Sequence, residues 1–593
     1  MSSLQRKSSA QVFWIGLLLS FLALTVRLLF LDATADSAGA YSPYYKGDTL
    51  TWLEYASAIQ SSRPFDLGLP MRPPGVAWLV ALAWNGQEDG LAVLRLLWSA
   101  GGAAVVALFF LAVFRSFGLL TATVAAGLAA ASTGLMILSN SPNNEIPYLL
   151  LVIGSLTLWE PLRHRPRLRT VLAWSVLNGL ACLIRVEHVL FFALVSAYLA
   201  WAWGRSPGAE GGWRRGLGRG ALMAVLFLLP LVPWQLHSWA QIERFNQSPL
   251  PLNPATEQAY AQLERALAGL PWSEGAVREQ AALPAFSRRP LGDFVAATVV
   301  VRGGSEVTAQ DFRIIDEAFG SRPEPLAAHP FVALYGGLNF RLANNPWASG
   351  GFTRAPLETP PPLAGGAQRY PAFLVAGLPP SDLAFSYPPH VEIVNHGYRL
   401  GWEWILQHPA DYLVLARDKL RIFWSGVTLG FTGYNLPLGM SGIRRAVDLV
   451  VPEGGPAVGL WRAGALAAML LGLWAGRREE ALLPWLCLLA TKLITTVAFF
   501  GYAREGAVVI PVFALSLGLL ARQGWSCLAG ALQRSRDVSL RRAGLASLGL
   551  MAAVLVTVEG FRWHSRPVIT LDGREVGAED PFPGADHEER RLR

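Results

Sequence analysis

An acidic residue, Asp48, stands where a helix is predicted to begin in the first polar region of the chain. Residues 49–60 carry apolar side chains at helical spacing, so the sequence predicts a helix that follows Asp48 directly. In one interpretation the carboxylate caps that helix by accepting its early backbone N–H groups. In the other it is a general base that takes a proton from a hydroxyl. The two roles conflict, because N–H bonds to a carboxylate lower its pKa.

A basic residue follows at Arg72, which opens the sequence Arg72-Pro73-Pro74-Gly75. The two prolines suit the first turn of a helix and leave its N–H donors beside the guanidinium. Helix N-termini and arginine forks both bind anions, so this segment is a candidate phosphate site. The alternative is an ordinary Pro-Gly turn with a solvated arginine.

Several more charges lie at the predicted outer ends of apolar runs, where they mark either a polar cavity or a structural ion pair. They are Glu145, Arg185, Glu187, Arg504 and Glu505. Lys492 lies near the middle of an apolar run and has no role that its spacing assigns. Asn344 and Asn345 suit hydrogen bonding to a sugar, although asparagines also favour turns.

The sequence predicts no metal site and no cofactor. Its nine histidines form no paired i, i+4 arrangement on a clear helix, and its three cysteines form no Cys-x-x-Cys motif. Glycine-rich phosphate loops are also absent from the sequence, which argues against an enzyme that uses a cytosolic nucleotide sugar.

These residues must be positioned by a membrane protein. Of 593 residues, 16% are charged and 52% are hydrophobic, whereas about 25% are charged in soluble domains. This composition excludes disorder and a nucleic-acid-binding array. The net charge of +8 comes from arginine clusters between apolar runs, a pattern typical of membrane topology.

About eleven runs approach the ~20 apolar residues that a spanning helix needs. They are 12–31, 91–114, 119–138, 146–159, 171–184, 189–203, 221–239, 457–475, 481–500, 507–521 and 543–558. Arginine is concentrated in one alternating set of loops, and such loops stay in the cytoplasm. The pattern therefore predicts a multi-pass cytoplasmic membrane protein with an uncleaved first helix, its N-terminus inside and its C-terminus outside.

The same pattern divides the chain into regions. Residues 1–240 form a transmembrane module whose first outer loop is 32–90, and 457–560 form the C-terminal transmembrane helices. Residues 241–456 are a loop-rich outer ectodomain, and 561–593 are an outer tail. Within the ectodomain, 411–424 has apolar positions at helical spacing beside basic residues, which is typical of an interfacial helix.

Seven short segments in this order carry a family resemblance. They are Gly47-Asp48 with Trp52 and Ala56, Arg72-Pro73-Pro74-Gly75, Asn144-Glu145, Ile184-Arg185-Val186-Glu187, Gly337-Leu338-Asn339 with Asn344-Asn345-Pro346, Lys419-Leu420 with Phe423-Trp424, and Tyr502-Ala503-Arg504. Together they resemble the GT-C superfamily of polytopic glycosyltransferases, in particular the family thirty-nine type, which includes protein O-mannosyltransferases and lipid A aminoarabinose transferases. Thr49 and Trp52 replace the second acid and the tyrosine of that family's first motif.

The resemblance implies an all-α GT-C fold and an enzyme that moves a sugar from a polyprenyl-phosphate donor to an acceptor hydroxyl of a lipid, glycan or protein, with inversion. It implies Asp48 as the catalytic base. It implies donor phosphate binding by Arg72, Arg185, Lys419 and Arg504, and sugar or acceptor binding by Glu145, Glu187, Asn344 and Asn345. Some relatives bind a metal through an acid just before the basic-Pro turn. Met71 occupies that place here, so no metal is expected there.

The expected partners are the bilayer, the lipid-linked donor and an acceptor, with no nucleic acid. Three other functions fit a chain of this kind. One is a ligase that uses polyprenyl-diphosphate-linked glycans. Another is a transporter, flippase or channel whose buried charges line a passage. The third is a non-catalytic assembly factor.

Overall fold

The computed structural model describes residues 3–33, 48–63, 68–164, 166–205, 212–247, 325–327, 329–358, 383, 388–429 and 455–533. Within these ranges all regular structure is helical. The helices are α1 Ser3–Ala33, α2 Thr49–Gln60, α3 Gly75–Ala81, α4 Glu88–Phe117, α5 Leu119–Ala131, α6 Thr133–Leu138, α7 Glu145–Leu156, α8 Trp159–His164, α9 Leu168–Ile184, α10 His188–Gly204, α11 Gly212–Leu228, α12 Val232–Gln247, α13 Tyr335–Ala343, α14 Ala355–Glu358, α15 Pro388–Gln407, α16 Pro409–Leu429, α17 Gly455–Ala475, a 3₁₀ turn Glu480–Leu482, α18 Leu483–Ala498, α19 Ala503–Ala507 and α20 Ile510–Gln533.

Three helical stretches in the described ranges are long and apolar enough to cross a bilayer. They are Ala10–Asp32, Asp89–Phe117 and Glu480–Ala498. A fourth is the bent pair α11 and α12, whose axes meet at 52°. Five shorter apolar helices accompany them: Leu119–Ala131, Leu168–Ile184, His188–Gly204, Glu145–Leu156 and Arg462–Ala475. The described residues therefore form an apolar helical assembly, and the count of eleven spans stays a prediction.

Two predicted spans are interrupted. The run 119–138 is divided at Ser132, whose hydroxyl caps α6 by accepting the Leu135 N–H at 3.3 Å. The run 221–239 is divided at residues 229–231, where Pro230 cannot donate the backbone hydrogen bond that a continuous helix requires. The predicted span 543–558, the tail 561–593 and most of the ectodomain lie outside the described residues.

The core is built from helices that approach each other closely. α4 packs against α1, α5 and α7, and α5 packs against α20. The α5–α20 contact is close because a side chain on Gly518 would come within 2.7 Å of the Thr121 carbonyl oxygen. Large side chains fill the remaining space, among them the fully buried Trp159, Trp174 and Trp485. This assembly positions the loops between helices, where the charged residues lie.

Candidate active site

The carboxylate of Asp48 is held between two arginines. Its Oδ1 accepts a hydrogen bond from Nη1 of Arg72 at 3.0 Å, and its Oδ2 accepts one from Nη2 of Arg504 at 3.1 Å. Asp48 occupies the position before α2, as the sequence predicted, but its side chain makes no capping bond to that helix. The capping interpretation is therefore wrong for the side chain, because the carboxylate points to the two guanidinium groups instead.

Helix α2 is fixed by a buried indole. Nε1 of Trp52 donates to Oδ1 of Asn143 at 3.0 Å, and Nε1 of Trp98 donates to the backbone oxygen of the same residue at 2.8 Å. Trp52 is 2% exposed and the guanidinium of Arg72 lies 5.8 Å from its ring centroid. Trp52 thus anchors α2 and lies beside the guanidinium that contacts Asp48.

The Arg72 turn is held from both sides. The Leu334 N–H donates to the carbonyl of Pro70 at 2.9 Å, which ties the turn to the start of α13. Gly75 lies against the end of α9, because a Cβ there would come within 2.9 Å of the Leu183 carbonyl oxygen. This close contact brings the turn next to the segment that begins at Arg185.

Arg504 is positioned by close backbone contacts between α16 and residues 501–507. A Cβ on Gly426 would lie 1.6 Å from the Ala503 carbonyl oxygen, and one on Gly506 would lie 1.9 Å from the Phe423 carbonyl oxygen. Only glycine allows backbones to approach so closely. The α16 backbone therefore dictates where α19, and with it Arg504, lies.

A second group of charges extends from this pair of arginines. Nε of Arg504 lies 3.9 Å from Oε1 of Glu145, which also accepts from Nη2 of Arg185 at 2.9 Å. Nη1 of Arg185 contacts Oε1 of Glu187 at 3.3 Å and also bonds to Glu505. Arg185 is 3% exposed and Glu145 is fully buried. Three carboxylates thus surround one buried guanidinium.

Lys492 completes this network from the middle of α18. Its ammonium is fully buried and donates to Glu187 at 2.8 Å and to Glu505 at 2.9 Å. A buried ammonium needs such partners, because an unpaired charge is costly to remove from water. The sequence assigned Lys492 no role. The only available signal was its position at membrane depth, which indicates pairing but does not identify the partner.

The network contains four cations and four carboxylates. We call it the rim network: Arg72, Arg185, Lys492, Arg504, Asp48, Glu145, Glu187 and Glu505. Six of its members are residues that the sequence analysis assigned to the site. With every group ionised its net charge is zero.

A series of buried hydrogen-bonded side chains lies beside the rim network. The hydroxyl of Tyr148 lies 3.0 Å from Nδ1 of His188, and Nε2 of that histidine lies 2.8 Å from Oδ1 of Asn178. The Tyr148 ring lies 4.8 Å from the ammonium of Lys492 and 5.6 Å from the guanidinium of Arg185. These cation–π contacts hold both cations against α7.

The arginines control the ionisation of Asp48. Burial alone would raise the pKa of its carboxyl, but the charges of Arg504 and Arg72 hold that pKa well below its usual range. Burial likewise would raise the pKa of Glu505, and Arg185 with Lys492 hold it low. Asp48 is therefore a carboxylate at neutral pH. Its low pKa makes it a weak base as long as both arginines contact it.

Lys419 and Asn344 form a cap at the end of α18, and the Lys419 backbone lies close to Gly501, three residues before Arg504. The Lys419 ammonium donates to Oδ1 of Asn344 at 2.9 Å and to the carbonyl of Val497 at 3.1 Å, and Nδ2 of Asn344 donates to the carbonyl of Ala498 at 2.9 Å. These carbonyls end α18, where no intrahelical partner remains. Among the described residues no ion pair joins Lys419 to the rim network. The structure gives this ammonium a capping role, and phosphate binding by Lys419 stays a prediction.

Asn345 is likewise bonded within the protein. Its Nδ2 donates to the carbonyls of Arg341 and Leu342 at 3.1 and 2.7 Å, and its Oδ1 accepts the Trp347 N–H at 2.9 Å. Both Asn344 and Asn345 are at most 1% exposed. Their amides are bonded within the protein, which is a structural role, and sugar binding by these residues stays a prediction.

Two tyrosines that the sequence analysis did not assign lie near Asp48. Burial raises the pKa of Tyr335, and the nearby charges of Glu187 and Arg72 also act on its phenol. The Tyr502 ring lies 5.0 Å from the guanidinium of Arg504. Tyr335 follows the residue that is bonded to the Arg72 turn, a contact across the fold that leaves no signal in sequence spacing. The described ranges contain no group of three or more metal-ligating side chains.

Among known proteins, the chain matches solved structures but no family model and no curated protein. Among solved structures, the chain is similar to ArnT from Cupriavidus metallidurans bound to undecaprenyl phosphate, with 16% identity, a TM-score of 0.30, and coverage of 90% of this chain and 81% of that chain. The apo form of the same ArnT is 15% identical with a TM-score of 0.30, covering 87% and 79%. At these values the likeness assigns no residue role and no substrate.

Proposed function

We propose that this protein is a membrane glycosyltransferase that moves a sugar from a polyprenyl-phosphate donor to an acceptor hydroxyl at the outer face of the cytoplasmic membrane. The observation that carries the proposal is the Asp48 carboxylate between Arg72 and Arg504, at 3.0 and 3.1 Å. A proton acceptor and two cations that can bind a phosphate thus meet at one point. The ordered motifs that resemble the GT-C superfamily support the same chemistry.

The reaction is written with the rim network in defined roles. The acceptor hydroxyl attacks the anomeric carbon opposite the phosphate, and its proton passes to the Asp48 carboxylate. The bond between the anomeric carbon and the phosphate oxygen breaks, and its electron pair leaves with the polyprenyl phosphate. Arg72 and Arg504 stabilise the negative charge that develops on that oxygen. Displacement in line inverts the anomeric centre.

The remaining charges of the network serve these two arginines. Glu145 lies beside Arg504, and Arg185 joins Glu145 to the carboxylates of Glu187 and Glu505. These residues hold the positions of the reacting groups rather than contacting the sugar. Preorganised charges of this kind avoid the cost of reorganisation during the reaction.

The distribution of arginines supports an outer location for the site. The loops rich in arginine alternate with the segments that carry Glu145, Arg185 and Arg504, and loops rich in arginine remain cytoplasmic. Cysteine labelling tests this orientation in a Cys527→Ser background. We expect a membrane-impermeant maleimide to label Ser61→Cys, at the end of α2 in the predicted first outer loop, in intact cells. It should label Gln523→Cys only after the membrane is opened. The opposite result would reverse the orientation.

Turnover tests the reaction. The purified protein in nanodiscs is incubated with a panel of labelled sugars on undecaprenyl phosphate and with envelope lipids, glycans and peptides as acceptors. Wild type should transfer label and release undecaprenyl monophosphate. Asp48→Asn should be slower by about 10²–10⁴-fold, the usual contribution of a general base. Asp411→Asn is the matched control, because that carboxylate is 73% exposed and lies outside the network.

Three results would contradict the proposal. Equal transfer by Asp48→Asn would remove the base. Consumption of a diphosphate-linked glycan with release of the lipid diphosphate would instead support the ligase. Movement of a lipid-linked substrate across the membrane, without formation of a glycosidic bond, would support a flippase.

A further inference from the structure

The rim network leaves no unpaired cation for an anionic donor. Its four positive charges are matched by four carboxylates, and both arginines at the proposed phosphate site are already bonded to Asp48. A phosphodiester brings one more negative charge into this group. At Arg72 this charge favours exchange of the Asp48 carboxylate for the phosphate, because that carboxylate is the sole ion-pair partner of Arg72 among the described residues.

We infer that the donor phosphate and the Asp48 carboxylate compete for Arg72, so that donor binding detaches Arg72 from Asp48 and leaves the carboxylate with Arg504 alone. This inference rests on the proposed function, because it takes the phosphate of a lipid-linked sugar as the competing anion. It adds that the base of the reaction is itself an internal competitor of the substrate.

Of the two arginines that contact Asp48, Arg72 is held less firmly. It is 32% exposed, and Asp48 is its sole ion-pair partner among the described residues. The Pro-Pro turn that carries it leaves the guanidinium free of backbone bonds within the described ranges. A partly exposed pair of this kind contributes only about 0.2–1 kcal/mol, so an incoming phosphate can replace it.

Arg504 is held more firmly. It is 18% exposed, lies 3.9 Å from Glu145 as well as 3.1 Å from Asp48, and stacks near the ring of Tyr502. Its Nη1 is buried and has no hydrogen-bond partner in the described structure. This atom is available to a phosphate oxygen without any loss of the contact to Asp48.

The exchange couples donor binding to catalysis. In the structure both arginines hold the pKa of Asp48 low, which weakens it as a base. When Arg72 moves to the phosphate, one of the charges that lower that pKa is neutralised, so the carboxylate gains basicity only in the donor complex. An acceptor hydroxyl that arrives before the donor finds a weaker base.

A binding cycle of four proteins tests the competition without requiring turnover. Farnesyl phosphate is titrated into wild type, Asp48→Asn, Arg72→Ala and the double variant in nanodiscs, with uncharged farnesol as the control for the chain. We expect Asp48→Asn to bind farnesyl phosphate about 5-fold more tightly than wild type, the equivalent of about 1 kcal/mol. Arg72→Ala should bind it more weakly, and Asp48→Asn should have no effect in the Arg72→Ala background.

Each outcome decides between this inference and another. Unchanged or weaker binding by folded Asp48→Asn overturns the competition, and so does tightening that persists in Arg72→Ala, because that result indicates a general field effect. Asp411→Asn removes an exposed carboxylate outside the rim network and should change affinity less than twofold, by about 0.4 kcal/mol at most. Asp48→Ala is a second variant, expected to bind at least as tightly as Asp48→Asn. If none of the proteins prefers farnesyl phosphate to farnesol, the proposed function itself falls.

Discussion

Replacing Arg185 by methionine should cost much more stability than replacing an exposed arginine. Arg185 is 3% exposed and contacts Glu145, Glu187 and Glu505. Lys492 continues to neutralise the last two, so the group left without its close partner is Glu145, which is fully buried. Removing one partner of a buried pair costs about 3–5 kcal/mol. Since a single carboxylate is stranded, with Arg504 still 3.9 Å away, the lower end of that range is expected.

Reversible denaturation in mixed micelles measures the free energy of unfolding of each variant. Arg185→Met should lower it by about 3 kcal/mol. The matched control is Arg399→Met, because Arg399 is 55% exposed and pairs with Glu392 and Glu403 on the surface of α15. Its loss should cost at most about 1 kcal/mol. The double variant Arg185→Met with Glu145→Gln should recover most of the lost stability, since no charge is then left unpaired.

A loss of stability in Arg185→Met no larger than that in Arg399→Met would contradict a buried, stranded charge at Glu145. A double variant no more stable than the single one would also contradict it, because the loss would then come from packing.

Three further predictions concern other parts of the fold. Gly426→Ala should reduce transfer at least about tenfold, because the new Cβ would lie 1.6 Å from the Ala503 carbonyl oxygen, next to Arg504. Gly464→Ala is the control: its Cβ would meet no atom within 4 Å, so transfer should be unchanged. Burial lowers the pKa of Lys419 from 10.5 to about 7, so between pH 7 and 10.5 the unfolded chain binds more protons than the folded one. The free energy of unfolding should therefore rise with pH across that window, by up to about 1 kcal/mol per pH unit. Lys419→Met should remove this rise. Arg72→Ala should move the acid limb of kcat/KM for the donor to higher pH, since Arg72 lowers the pKa of Asp48 in the free enzyme.

Each of these has a contrary result. Equal activity of the two alanine variants would show that the close backbone contact does not position the site. An unchanged pH dependence of stability without Lys419 would assign that dependence to other groups. An acid limb that stays in place without Arg72 would mean that the second arginine alone sets the ionisation of Asp48.

Much of the site could be predicted because charge at membrane depth is costly. Asp48, Glu145, Arg185, Glu187 and Arg504 were recognisable as charges beside apolar runs, and such groups cluster with partners of opposite sign. The structure brings them together. The start of α2 after Asp48 was also predictable, since helical spacing is a local signal.

The partners themselves could not be predicted, because they depend on contacts across the fold. Arg504 and Asp48 are 456 residues apart in the chain. The pairing of Lys492 with Glu187 joins residues 305 apart. In the sequence, Lys419 is one of several cations on a basic helix. In the structure its side chain lies at the end of α18, where the Val497 carbonyl accepts a hydrogen bond from the ammonium. Spacing within one helix cannot show which neighbour faces it.

The central claim is that a lipid phosphate binds at Arg72 and Arg504. The most direct measurement is photocrosslinking of an undecaprenyl phosphate with a photoreactive group beside the phosphate, followed by mapping of the labelled peptides. Label is expected on the segments 68–78 and 499–510, and the amount of label should be lower in Arg72→Ala. Label concentrated instead on the other basic surface, around His164, Arg167 and Arg169, would contradict it.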